Sequence, residues 1–383
     1  MSRPRVIIAG GGPVGLSLAC ALPGCDVHVI ESASHAAPLQ EEFDLRIFAV
    51  SPGTRDFLRE IGVWDGLDTS RMEQVRRMEI FGDEGAKLAF SARPGTALAW
   101  IVEAVRLSHA IEEQAASMAN VTILRGEVAS EFGAEAGRAW ARLGSGQRIE
   151  GDLLVGADGP GSRVRSQLGL ASIEEPYAES ALVANFETTL EHGATARQWF
   201  REDGVLAWLP LPDKRISIVW SAPACVADTL AGLDAPTLEK RVREAGESAL
   251  GELKLISPTA RFELRSIRVD DPVAPGVALI GDAAHAVHPL AGQGVNLGFQ
   301  DARALAEALC ARTELERAGD LRVLRRYARS RKEDVTAMHF VTDGLDKLFA
   351  TGNPGMRAFR NMGLRLVDSQ GWARDALVGR AMR

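Results

Sequence analysis

The chain has 383 residues, 46% of them hydrophobic, enough for a sizeable core and two or three domains' worth of material. No stretch approaches the ~18 apolar residues of a membrane span, and Cys20, Cys25, Cys225 and Cys310 form neither a C-x-x-C pair nor a metal spacing; this excludes a metal module and fits a soluble enzyme of a reducing cytoplasm. The net charge of −7 predicts no nucleic-acid partner, but from Arg322 onward 13 Lys and Arg face 6 Asp and Glu, a basic tail that suits an acidic partner or the anionic inner face of a membrane.

Two arginines ahead of an apolar segment imitate the start of a signal peptide, yet GGGP interrupts that segment and marks a strand and turn. Arg5–Ala9 is a β-branched apolar run, predicted to be a buried parallel strand. It feeds Gly10, Gly12 and Gly15 of a G-x-G-x-x-G turn, with Pro13 and Val14 inside it. In such a turn the first glycine permits the sharp bend, the second lets backbone approach a pyrophosphate, and the third lets the helix, here Leu16–Leu22, pack on the strand. The next strand, Asp26–Ile30, ends in Glu31, where a carboxylate accepts the ribose hydroxyls of an adenosine. Strand, turn, helix, strand and acid together predict dinucleotide binding.

Val102–Asn120 carries Leu107, Ile111 and Ala115 at helical spacing, and Val121–Arg125, Arg138–Leu143 and Arg148–Val155 read as strands, the last running into GADG at Asp158. A carboxylate at such a strand end lies where α/β sheets bind ligands. A β-rich region follows, with strands Ala181–Thr188, Arg197–Phe200, Val205–Leu211 and Arg215–Trp220, a hairpin turn at Pro212–Lys214, and aromatics that suit an apolar cavity wall. Val277–Ile280 is another buried strand. It leads into Gly281 and Asp282, the latter placed to accept hydrogen bonds from a polyol. Gly292, Gly294, Val295 and Asn296 then open a helix whose free N–H groups favour a partly negative ring edge.

These three glycine-centred segments resemble, in order, the GxGxxG, DG and GD fingerprints of the group A flavoprotein monooxygenases, which have the p-hydroxybenzoate hydroxylase fold. The resemblance covers nearly the whole chain. It sharpens to the ubiquinone-biosynthesis hydroxylases, whose D-x-R-x-x-A, GPLALLPLP and VWS segments are matched at Asp44–Ala49, Gly204–Pro212 and Val219–Ser221. Thr342–Leu345, Leu348-Phe349, Arg360–Leu364 and Asp368 recur there in the same order. One departure stands out: the family's V-E-N-R puts its Asn and Arg on Ala104 and Val105, with Arg106 one place late. About 100° of helical rotation should turn Arg106 away from the cofactor.

The resemblance implies an α/β architecture: a Rossmann-like FAD-binding domain from residues 1–75, 97–177 and 272–335, an inserted β-sheet substrate domain from 76–96 and 178–271, and a helical C-terminal region, 336–383. It implies noncovalent FAD held by Gly10, Gly12, Pro13, Val14, Gly15, Glu31, Arg46, Asp158, Gly281, Asp282, Gly292, Gly294, Val295 and Asn296, with NAD(P)H and O2 as cosubstrates. Arg46 has a rationale of its own, since a guanidinium can hold a pyrophosphate bidentately. Reduced flavin and O2 would form a C4a-hydroperoxide that hydroxylates an electron-rich ring, in this family a polyprenylated phenol. Trp199, Phe200, Trp208, Leu209, Trp220 and Pro289 are expected to line the substrate pocket, and His288, beside Pro289, is the candidate for proton or substrate handling. In the tail, Met356, Phe359, Met362 and Leu366 form an apolar stripe flanked by Arg357, Arg360 and Arg365, suited to an anionic bilayer or a quinone-biosynthesis complex. An epoxidase of the same fold and a non-hydroxylating FAD-binding subunit of such a complex stay open as alternatives. The absence of WxWxIP argues against a halogenase.

Overall fold

The computed structural model describes residues 3–82, 86–135, 138–287 and 294–350, the last ten of these as backbone only. Its nucleotide-binding half is a six-stranded sheet in the order Val273–Ala274, Val277–Leu279, Leu153–Gly156, Arg5–Ala9, Asp26–Glu31, Val121–Arg125. All neighbours run parallel except the first pair. Alternation along Arg5–Ala9 serves two cores. Val6 and Ile8 pack with the helices Pro13–Cys20, Ala104–Ser117 and Gly294–Cys310; Ile7 and Ala9 pack with an antiparallel sheet of Ala129–Glu135, Arg138–Leu143 and Arg148–Gly151. Covering both faces is what makes these strands continuously apolar. The strand order reverses at Arg5–Ala9, so the Gly10 turn lies at the switch point beside Asp158, where open α/β sheets bind ligands.

Two expected elements are divided. Arg148–Val155 is two strands, Arg148–Gly151 in the small sheet and Leu153–Gly156 in the parallel one. Between them Asp152 exchanges hydrogen bonds with the Arg5 backbone, each 2.8 Å, and a β-carbon at Gly151 would come within 2.9 Å of the Arg5 carbonyl. Val102–Asn120 starts as the strand Ala99–Glu103 and turns helical only at Ala104, because Ile101 and Val102 pair with Ala49 and Phe48.

The inserted part is a nine-stranded sheet, ordered His285–Ala286, Ala260–Val269, Ser172–Thr188, Arg215–Pro223, Gly204–Leu211, Thr195–Arg201, Arg77–Phe81, Lys87–Ser91, with Leu253–Leu255 also on Ser172–Thr188. Register assigns its two faces. Leu206, Trp208, Ile218 and Trp220 share the back, which the helices Ala224–Ala231 and Ala235–Ala245 cover. Val183, Asn185, Ala207, Leu209, Ser217 and Val219 share the front. The expected domain boundary at 177/178 falls inside Ser172–Thr188, and that at 335/336 inside the helix Leu321–Ala350.

Candidate active site

A β-carbon on Gly10, whose φ is +110°, would overlap the Ala157 carbonyl oxygen, and one on Gly15 would overlap the Gly10 carbonyl. These two glycines let helix and DG strand close on the turn. Gly12 is different. Its β-carbon would meet nothing within 4 Å, and it borders a cleft of about 490 Å³ that also touches Pro13, Glu31, Arg46 and Arg125. At one end of the cleft the Glu31 carboxylate accepts the backbone N–H groups of Gly11 at 2.8 Å and Ala33 at 2.7 Å. It is thereby fixed in the attitude that would receive ribose hydroxyls.

Val14 joins the first motif to the third. A β-carbon on Gly298 would lie 2.7 Å from Val14 Cγ2, and one on Gly281, at φ +60°, 3.3 Å from Val14 Cγ1. The Gly281 N–H donates to Asp301 Oδ2 at 2.9 Å; the same oxygen meets His285 Nε2 at 2.6 Å, and Arg331 Nε donates to Oδ1 at 2.8 Å. Asp301 is fully buried. Burial pushes its carboxyl up, but His285 and Arg331 outweigh that and hold it below the ordinary carboxylate range. Asp282 has the opposite balance: desolvation by the surrounding protein raises it, and the nearby His285 and Arg46 only partly offset this. Asp282 is nonetheless an exposed residue, within electrostatic reach of Arg46. Asn296, expected near the flavin, uses its side chain structurally: Oδ1 accepts the Ser51 N–H at 2.9 Å and Nδ2 donates to the Ala49 carbonyl at 2.8 Å. It therefore ties the strand Ile47–Val50, which follows Arg46, to the late motif.

Asp158, expected to bind cofactor, has its carboxylate taken up by its own loop. Ser162 Oγ lies at 2.5 Å, and the Arg163 and Val164 N–H groups at 2.7 and 3.2 Å, capping the helix Arg163–Gln167. The DG segment reaches the GD segment instead through Arg165, which donates to the Ala283 carbonyl at 2.9 Å and to Glu174 at 2.7 Å.

Ala104 and Val105 border the cleft. Arg106 pairs with Glu103 at 3.0 Å and donates to the Gln40 carbonyl at 3.0 Å. Arg71 forks onto Glu103 at 2.8 and 2.9 Å and reaches the Glu41 and Glu42 carbonyls, while His109 bonds the Ala37 carbonyl. Arg106, Arg71 and His109 together thus hold the segment 37–42 beside the cleft, which Arg46 and Arg125 border.

The substrate wall needs correction. Trp199, Trp208 and Trp220 are 2%, 1% and 0% exposed and belong to the core behind the sheet. Their strands carry apolar residues on both faces, so aromatic content alone does not tell front from back. Leu209 is on the front, packed with Ala49, Ile101 and Leu211 between the domains; Phe200 shares that face. Gly294 and Val295 begin the helix Gly294–Cys310. His288, Pro289 and Gly292 lie outside the described residues, as do Met356, Phe359, Met362 and Leu366 with their arginines. Sequence reasoning missed Asp301, Arg331 and Arg165, whose partners come together only in the tertiary structure.

An open position at Gly12, a pinned carboxylate at Glu31 and the guanidinium of Arg46 around one cleft, with Asp282 within electrostatic reach of Arg46, fit a flavin dinucleotide, and together with the α/β fold they define a flavoprotein. A family model described as FAD binding domain matches residues 3–340. The chain is 33% identical over 374 residues to the 3-demethoxyubiquinol 3-hydroxylase of Escherichia coli (strain K12), covering 96% of this chain and 95% of that protein. It is 31% identical over 419 residues to the mitochondrial ubiquinone biosynthesis monooxygenase COQ6 of Homo sapiens, covering 95% and 89%. Among solved structures, P. aeruginosa PqsL in complex with 2-aminobenzoylacetate matches with a TM-score of 0.78 at 23% identity, covering 95% of this chain and 99% of that one. Klebsiella pneumoniae HpxO complexed with FAD matches at 0.77 and 21%, covering 99% and 98%; both share the fold. The chain belongs to this FAD-binding family and is an FAD-dependent monooxygenase.

Proposed function

We propose that the protein hydroxylates the aromatic ring of a polyprenylated phenol in ubiquinone biosynthesis, consuming NAD(P)H and O2. The observation that carries this reading is a structural continuity. Immediately after Asp282 the chain enters the substrate sheet, where His285 and Ala286 pair with Arg268 and Ile267, so cofactor site and substrate sheet are one connected framework. The names of the relatives at 33% and 31% identity supply the substrate class. When bound, FAD supplies the passage of electrons from NAD(P)H to O2 and the insertion of one oxygen atom.

The protein's part is placement. Glu31, Arg46 and Asp282 would hold the adenosine, pyrophosphate and polyol portions, and the Asp301 bond to Gly281 fixes the backbone from which Asp282 projects. The front of the sheet presents Val183, Ala207 and Val219, an apolar surface on which a ring and its chain can exclude water. His288 and Pro289 are retained from the sequence as the proton- and substrate-handling candidates. The basic C-terminal region is assigned the role of meeting an anionic membrane surface or a partner in quinone synthesis. No helix among the described residues is long and apolar enough to cross a membrane.

The test is NAD(P)H oxidation by the flavin-loaded protein with and without a prenylated phenol, together with product mass. Substrate-stimulated oxidation and a product heavier by one oxygen atom support the reading. Bound flavin without oxygenated product favours the non-hydroxylating subunit. Deleting the gene in its host and identifying the accumulated quinone precursor would fix the ring position.

A further inference from the structure

On the apolar front face, two polar side chains stand opposite each other in register: Asn185 on Ser172–Thr188 and Ser217 on Arg215–Pro223. Each is 1% exposed. The amide of Asn185 cannot be turned over, because its Nδ2 donates to two carbonyls, Phe43 at 3.1 Å and Asp44 at 3.2 Å. Its Oδ1 is therefore held at the other end as a pure acceptor. Neither Asn185 Oδ1 nor Ser217 Oγ has a hydrogen-bond partner among the described residues. A buried acceptor left without a donor is costly and calls for an explanation.

The surroundings indicate what is missing. Leu209 lies opposite Ser217, and Val183, Ala207 and Val219 occupy the adjoining front positions. The tether to Phe43 and Asp44 sets the pair against the segment that continues into Arg46 on the cofactor cleft. A ligand matching this patch is apolar over most of its surface and offers one hydroxyl. A carbonyl or a methyl ether would turn a second acceptor, or a methyl group, toward Oδ1.

We infer that Asn185 and Ser217 are the anchor for the phenolic O–H of the substrate: the phenol donates to Asn185 Oδ1, and Ser217 Oγ completes the contact with the phenol oxygen. This assignment rests on the hydroxylase reading above and deepens it, making the site select a free phenol over its O-alkylated counterpart. Both are positioning residues; neither is assigned a proton-transfer step.

The experiment uses the FAD-loaded full chain and two probes, 2-geranylphenol and its methyl ether, with dissociation constants taken from the perturbation of the flavin absorption spectrum. Wild type should bind the phenol about ten-fold more tightly, the equivalent of one hydrogen bond. Ser217→Ala, which removes one atom and disturbs nothing else, and Asn185→Leu should each bring the two probes to within about two-fold, with flavin content unchanged in Ser217→Ala. A preference absent in wild type, or preserved in Ser217→Ala, overturns the anchor. If wild type binds neither probe, the substrate class itself fails and the anchor falls with it; binding of both probes with an unaltered ratio in the variants overturns the anchor alone.

Discussion

Gly281 hands its backbone N–H to Asp301 at 2.9 Å, so the conformation of the late glycine motif is set by a carboxylate on a different element, the helix Gly294–Cys310. Asp301→Asn should cost about 3–5 kcal/mol of stability, the range for breaking a buried charge pair. The new amide would set its NH2 against the Gly281 N–H and leave Arg331 short of its counter-charge. The pH sign follows from a folded pKa below the ordinary value of 3.8. The stabilisation is complete above the unfolded pKa and is lost as pH falls through the lower folded one. Urea unfolding should show wild type losing stability on acidification below about pH 4 more steeply than Asp301→Asn; parallel curves would contradict this.

Gly10 and Gly12 should separate folding from cofactor binding. Gly12→Ala adds a β-carbon that no protein atom approaches within 4 Å, so the apo protein should melt close to wild type while FAD binding is weakened. Gly10→Ala, forced onto a φ of +110° and the Ala157 carbonyl, should lower the melting temperature itself. Melting with and without FAD tests both variants.

Asp282→Ala should weaken FAD binding by about 1.5–3 kcal/mol, roughly ten- to a hundred-fold, the worth of a hydrogen bond to a charged group. Desolvation raises the Asp282 pKa, and polyol hydroxyls donating to it would favour the ionised form. FAD affinity should therefore be full above that raised pKa and fall as pH drops through it. Asp282→Asn should flatten the profile. Flavin-fluorescence titration across pH measures both, and an unchanged slope in Asp282→Asn would remove this carboxylate from the polyol contact.

Trp208→Ala should destabilise by about 3–5 kcal/mol and leave the Michaelis constant for the aromatic substrate unaltered, because the ring packs behind the sheet with Leu238 and Val242. A raised Michaelis constant at unchanged flavin content would return Trp208 to the substrate wall.

In the C-terminal region, changing Arg357, Arg360 and Arg365 together to Gln should reduce sedimentation with vesicles containing anionic lipid, an effect that added salt reproduces, while FAD content stays normal. Equal sedimentation of variant and wild type at low salt would leave these arginines without a docking role.

What could be found from sequence was local. Gly10, Gly15 and Glu31 belong to one strand–turn–helix–strand unit whose geometry dictates their spacing, and the substrate strands carried their own β-branched and turn residues. Most of the unforeseen features required knowing which surfaces meet. Asp301 and Arg331 lie on separate helices, with no local pattern to join them. Trp208 and Leu209 are adjacent and equally apolar, and the pleat alone sends one behind the sheet and the other forward. Asp158 stood where a ligand carboxylate belongs, but the following Ser162 and Arg163 supply donors that turn it into a helix cap.

The parallel sheet is completed late in synthesis. Arg5–Ala9 waits for Leu153–Gly156, which in turn waits for Val277–Leu279, and Asp301 comes later still. The nascent chain therefore carries the pyrophosphate turn long before the pocket around it exists, and must close contacts of very large sequence separation to build one, a slow kind of assembly. An N-terminal fragment holding the whole G-x-G-x-x-G unit should remain colourless, and the appearance of bound yellow flavin during refolding should coincide with the last structural event.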